Sequence, residues 1–231
     1  MRASILLTGF LFLCAALNAQ SINDPIFSNN ASATSVYFSK ISDKQIGLEG
    51  SEYLFDQWLT GKIITHSKDE LVDFPFKYDL KNKMLEIMVK TEIKVLPVGK
   101  VKYFELTGID GKKRTFYSAV NFTTDAYTDG FFEIIVPSEK LGLYKKTELV
   151  IQKAKYVAAL DAGNPNDQLV KKDRYYYMKD NKLFKLGYTK KEILTIFGDK
   201  KVLVQEFAKK SRVKFRGEAN LKQLVEYYNS L

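Results

Sequence analysis

The sequence predicts an α+β protein that is mainly β: an antiparallel meander sheet or small open barrel over residues 36–186, followed by two or three short C-terminal helices over 187–231. Three observations predict this class. From residue 61 to 156 the chain breaks into short runs rich in β-branched and aromatic residues, parted by turn formers about every ten residues. No stretch between them is long enough for the helical crossover of a parallel βαβ unit. Beyond Gly187 the apolar spacing becomes helical.

The first residues, "MRASILLTGFLFLCAALNAQ", place Arg2 before an apolar run and end in small and polar residues, the layout of a secretory signal peptide cleaved after Ala19. Cys14 raises the alternative of a lipidated cysteine, but Phe12 and Leu13 stand where that signal needs small residues. Residues 20–35 are polar and aperiodic, a flexible lead. In the stretch 36–59, Tyr53, Leu54 and Trp58 suit an extended or short helical anchor on a sheet edge.

Strands are expected at 61–67, 71–78, 83–90, 92–96, 101–106, 114–120, 131–136, 142–146 and 147–156. Asp110 and Gly111 suit a tight hairpin, and Pro75 belongs at an edge or bulge because it cannot donate to a ladder. "YDLKNKMLEI" (78–87) and "YMKDNKLFKL" (177–186) align without a gap. With turns centred on Lys81–Asn82 and Asp180–Asn181, Tyr78 pairs with Leu85, Phe76 with Ile87, Tyr177 with Phe184 and Tyr175 with Leu186. That register leaves Tyr176 beside Lys185 on the opposite face as a candidate binding aromatic.

Residues 159–173 form the longest expected loop, bent at Gly163–Asn166. Thr189 and Glu192 make a capping box, with Tyr188 and Ile193 as its hydrophobic staple. Gly198 ends that helix, Asp199 can cap the next, and Leu221, Leu224, Val225 and Tyr228 share one stripe of the last.

The net charge of +9 is uneven: residues 179–231 hold 13 Lys and Arg against 6 Asp and Glu, and residues 1–178 hold 23 against 21. Lys200, Lys201, Lys209, Lys210, Arg212, Lys214 and Arg216 form a candidate surface for a partner or an anion, a lipid headgroup or acidic glycan in an exported protein rather than nucleic acid. A solvated lysine coat is the plain alternative.

Chemistry is sparse. The only cysteine lies in the leader, so thiolate catalysis, disulfides and cysteine zinc sites fall away from the mature chain. The single histidine, His66, supports neither an HExxH site nor a serine triad, since no GxSxG elbow accompanies it. Asp125, Asp129 and Glu133 are the acids a carboxylate hydrolase would draw on, although Asp and Gly before a strand more often form turns. Asp161, Asn164, Asn166 and Asp167 lack the ligand order of an EF-hand. No phosphate-cradling glycine motif occurs, and no cofactor is expected.

The leader ending in "NAQ", the run "GKIITH…FPFKYDLKNKMLEI" and the ending "LKQLVEYYNSL" resemble a family of uncharacterised exported proteins common in Bacteroidetes. The resemblance covers most of the mature chain and brings no catalytic residues. It implies a Gram-negative envelope setting, periplasmic or associated with the outer membrane, with no transmembrane segment after cleavage. The sequence thus predicts a non-enzymatic envelope protein that docks a partner protein or envelope component. The alternatives are a binding module for an apolar ligand or an anionic glycan or lipid, and a carboxylate hydrolase.

Overall fold

The computed structural model describes residues 48–124, 128–137 and 140–231. The expected signal peptide, the polar lead, residues 36–47 and Asp125 lie outside the described residues. The strands are β1 (Leu48–Glu49), β2 (Gly61–Thr65), β3 (Glu70–Val72), β4 (Phe76–Asp79), β5 (Met84–Val89), β6 (Glu92–Pro97), β7 (Val101–Thr107) and β8 (Lys113–Ser118). They continue with β9 (Thr123–Thr124), β10 (Phe131–Val136), β11 (Gly142–Gln152), β12 (Lys155–Val157), β13 (Ala162–Asn164), β14 (Asp167–Lys179) and β15 (Lys182–Lys185). Helices α1 (Lys190–Thr195), α2 (Lys201–Lys210) and α3 (Glu218–Ser230) follow.

The large sheet runs β3-β2-β7-β8-β10-β11-β14-β15-β9 and stays open. It is antiparallel except where β9 joins β15 and β1 joins β14. A second sheet, β4-β5-β6, is inserted between β3 and β7, and residues 53–59 run along its β4 edge through the bridges Tyr53↔Asp79 and Leu59↔Phe76. The N-terminal anchor is therefore neither a helix nor a continuous strand: it meets β4 at its two ends and bends between them, with Lys77 Nζ 4.7 Å from the Tyr53 ring and 5.1 Å from the Trp58 ring.

Alternation along the strands gives the large sheet two unlike faces. On the covered face Phe104, Phe116 and Phe131 meet Phe76 and Tyr78 of the small sheet. Phe104 stacks on Phe116 at 4.6 Å and takes the edges of Phe131 at 5.0 Å and Phe76 at 5.6 Å. Phe131 donates its backbone N–H to the buried Tyr78 hydroxyl at 3.3 Å, so this phenol does not enter the core unpaired. Farther across the same face Leu143, Tyr175, Tyr177 and Leu186 receive the helices, whose buried residues include Phe197, Val204, Leu221 and Leu224.

Both hairpin echoes fold in the expected register, Tyr78↔Leu85 and Phe76↔Ile87 in one and Tyr177↔Phe184 in the other. The first turn is wider than two residues, because pairing stops at Asp79↔Met84 and the Asp79 carboxylate accepts from the Lys81 and Asn82 amides. In the second, Asp180 and Asn181 take positive φ values of 50° and 60°, as a two-residue hairpin turn requires. The Thr189–Glu192 capping box forms in full.

Five expectations need correction. The run 71–78 is two strands in two sheets: Asp73 takes φ 64° and Pro75 has no donor, so the ladder breaks and β4 crosses to the second sheet. The runs 142–146 and 147–156 are not separate strands, since β11 continues unbroken to Gln152 on the support of β14. Most of the expected loop 159–173 is β13 and β14; its charged residues face β11 partners, as where the Thr147 hydroxyl donates to Asp173 at 2.7 Å. Tyr188 does not staple Ile193; it is exposed, and its hydroxyl bonds to Arg174. Asp199 does not cap α2, whose first turn lies behind a short 3-10 turn with Lys200 at the uncapped position.

No helix among the described residues is long and apolar enough to cross a membrane. Phe104→Ala is expected to lower unfolding stability by roughly 3–5 kcal/mol in urea titrations, because four ring contacts collapse into a cavity. Tyr103→Ala, one residue away on the half-exposed face, is expected to cost clearly less.

Candidate functional site

The helical layer carries the seven cations singled out by the sequence. Lys201, Lys209, Lys210, Arg212, Lys214 and Arg216 are exposed and Lys200 is half-buried. Lys209 and Lys210 occupy the last turn of α2, where the helix dipole favours cations. Arg212, Lys214 and Arg216 continue from there through the loop into α3, with Val213 and Phe215 between them turned inward. Asn220 holds that loop, accepting from the Lys214 amide and donating to the Arg216 carbonyl. Lys200 and Lys201 sit at the opposite end of α2, about 15 Å away for ten residues. The structure therefore groups five of the seven and sets two apart.

Part of the sheet's cations differ from them in pairing. Lys62, Lys81, Lys83, Arg114, Lys145 and Lys146 are each bonded to a carboxylate. Among the described residues none of the seven helical-layer cations forms an ion pair.

Tyr176 does not join them. It pairs with Tyr144 and Lys185 on the sheet face opposite the helices, as the register predicts. There it ends a run of rings from Tyr103 and Tyr117, stacked at 5.2 Å, through Phe122 and Phe132 to Tyr176, which meets Phe132 edge-on at 4.9 Å. Tyr103, Tyr117, Phe122 and Tyr176 are half-buried, and burial raises the phenols of Tyr117 and Tyr176. The sequence reading isolated Tyr176 because the other rings reach this face from distant strands.

Of the acids weighed for catalysis, Asp129 and Glu133 are committed to ion pairs. Glu133, 7% exposed, lies on the covered face between the small sheet and the helices. Its oxygens meet Arg114 Nε at 3.3 Å and Lys145 Nζ at 2.8 Å, and Lys145 also holds Glu218 of α3 at 2.8 Å. Burial pushes the Glu133 carboxyl up against the pull of these cations. Lys145 is held well above the ordinary lysine range by its two carboxylates, which outweigh its own burial. Asp129 bridges Lys83 and Lys146, the latter at 2.9 Å; burial opposes its charge, but the two lysines win and lower its carboxyl. Gly130 beside it takes φ 76°, and a Cβ there would stand 2.7 Å from the Tyr78 hydroxyl, so the approach of Asp129 to β10 demands glycine.

His66 is exposed at the end of β2. In the 161–167 bend, Asp161 accepts from the Tyr156 hydroxyl, Asn164 from the Asn166 amide and Asp167 from Lys153 and Ala154.

One feature escaped the sequence. A cleft of about 410 Å³ opens between the β4–β5 turn and β11, with Leu80, Leu149, Ile151 and Leu169 on its apolar side and Lys81 and Lys83 at its charged side. Its signal in the sequence is faint, because it depends on where β10 parts from β11.

Glu133→Ala should destabilise the fold by roughly 3–5 kcal/mol, since Arg114 and Lys145 would lose their shared carboxylate, with the Glu133→Met, Lys145→Met double variant recovering most of the loss in urea titrations. For Asp129 the folded carboxyl lies below its unfolded value, so its contribution is present above the ordinary carboxylate pKa and is lost as pH falls through the folded value. Melting temperatures recorded down the acid limb should fall less steeply in Asp129→Asn than in the parent chain.

In comparisons with known proteins, no family model, curated protein or solved structure matches the chain.

Proposed function

We propose that this chain is an exported, non-enzymatic docking protein of a Gram-negative envelope, periplasmic or associated with the outer membrane. Its C-terminal helical layer engages a partner protein or an anionic envelope component. The observation that carries the reading is the clustering of Lys200, Lys201, Lys209, Lys210, Arg212, Lys214 and Arg216, seven cations within 17 residues with no ion pair among the described residues, whereas in the sheet paired cations such as Lys83, Lys145 and Lys146 alternate with unpaired ones. Unpaired surface cations attract an acidic partner over about 8–10 Å at physiological salt. The sorted charge, the leader-like N-terminus and the resemblance to exported Bacteroidetes proteins point the same way. The rings of Phe104, Phe116 and Phe131 pack against one another on the covered face, and Asp129 and Glu133 are held in ion pairs with lysines.

A second reading, a binding module for an apolar ligand or anionic glycan or lipid, draws on the ring run from Tyr103 to Tyr176. Sugar faces and acyl chains both stack on half-exposed rings, and Lys185 lies beside Tyr176 to meet a charge.

Reversing Lys200, Lys201, Lys209 and Lys210 to Glu should lower co-fractionation with envelopes by roughly tenfold or more, at about 1 kcal/mol per charge near an anionic surface. The exposed His66→Ala serves as the neutral control. Unchanged fractionation together with an unchanged crosslinked pull-down would sink the helical layer as the dock.

A further inference from the structure

Among the described residues the edge of β11 is a long stretch of large-sheet backbone without a neighbour. β10 pairs with β11 only as far as Glu133↔Lys145, and from Thr147 to Gln152 β11 is bonded on its β14 side alone. Residues 147–152 form no other backbone hydrogen bond. Such an edge offers a row of outward N–H and C=O groups to any extended chain. The other free edges are short or guarded: β3 has three residues, β9 two, β6 carries Glu92, Lys94 and Pro97, and the far side of β14 from Leu169 to Arg174 carries Lys171, Lys172, Asp173 and Arg174. The β11 edge, "TELVIQ", has one charge, no proline and no bulge.

The cleft lies along this same edge. Its apolar side, built from Leu80, Leu149, Ile151 and Leu169, fits alternate side chains of an added strand. Its rim carries ion pairs of both signs, Lys81 with Glu52 and Lys83 with Asp129, and Glu148 also lines it. Lys81 is 54% exposed against 24% for its partner Glu52, and Lys83 is 40% exposed against 24% for Asp129. The lysines are thus the more exposed members of these two ion pairs.

We propose that the β11 edge and its cleft form a strand-addition site for an extended peptide segment of a partner protein. The segment has apolar residues at alternate positions and an acidic residue that reaches Lys81 or Lys83. Backbone bonds to residues 147–152 supply affinity, and the cleft and its lysines select the side chains. The site is separate from the cations of the helical layer, so it stands or falls independently of the docking surface proposed for them.

The test selects phage-displayed random dodecapeptides on the full mature chain. The enriched sequences should alternate apolar and polar residues, carry Asp or Glu and lack proline. Bound as synthetic peptides, they should slow hydrogen exchange at the amides of residues 147–152. Ile151→Glu, at a position already 54% exposed, should keep the parent unfolding midpoint and weaken binding by roughly tenfold or more through repulsion and loss of the apolar wall. The variant with Lys200, Lys201, Lys209 and Lys210 reversed to Glu should bind the same peptides unchanged. Failure to enrich any peptide, protection confined to other segments, or peptide binding indifferent to Ile151→Glu would each overturn the proposal. So would a concentration-dependent dimer that protects residues 147–152 without peptide, since a second copy would then be the occupant.

Discussion

Glu133 and its partners Arg114, Lys145 and Glu218 hold the molecule at its most constrained point. One face of a continuous sheet must carry two unlike covers, a three-stranded sheet over β7, β8 and the start of β10, and helices over β11, β14 and β15. A buried carboxylate there is costly by itself, and Arg114 and Lys145 from the flanking strands offset that cost. Glu218 at the start of α3 extends the network into the helical layer, where a negative charge also suits the helix N-terminus. A slip of one residue in β10 would carry Glu133 into the rings of the other face, so the network specifies register as much as stability.

Much of the fold is legible in the sequence because short-range rules decide it. The hairpin registers follow from turn residues and alternation, and the Thr189–Glu192 box from a four-residue spacing. The errors arise where distant partners override local signals. Lys171, Lys172 and Asp173 look like loop until β11 stands opposite them, and Pro75 marks a transfer between sheets that no single-strand pattern contains. Tyr188 has the position of a staple, but Arg174, brought close by β14, captures it.

The candidate surfaces divide along the same line. The basic segment is visible as composition, since seven cations within 17 residues need no fold to be noticed. Their grouping at the C-terminal end of α2, and the separation of Tyr176 onto the opposite face, depend on the sheet and helices together. A free edge is more hidden still, because it is defined by the strand that fails to continue beside it.

Trp58 is the only tryptophan in the chain, and it lies on the small-sheet edge with Lys77 against its ring. Its indole emission is therefore a reporter of that edge alone. A local opening of the helical layer would leave the emission unchanged, while the far-ultraviolet signal of the helices declined. Whether the two covers of this sheet part from it together or one after the other is thus readable from a single sample with two optical probes and no added label.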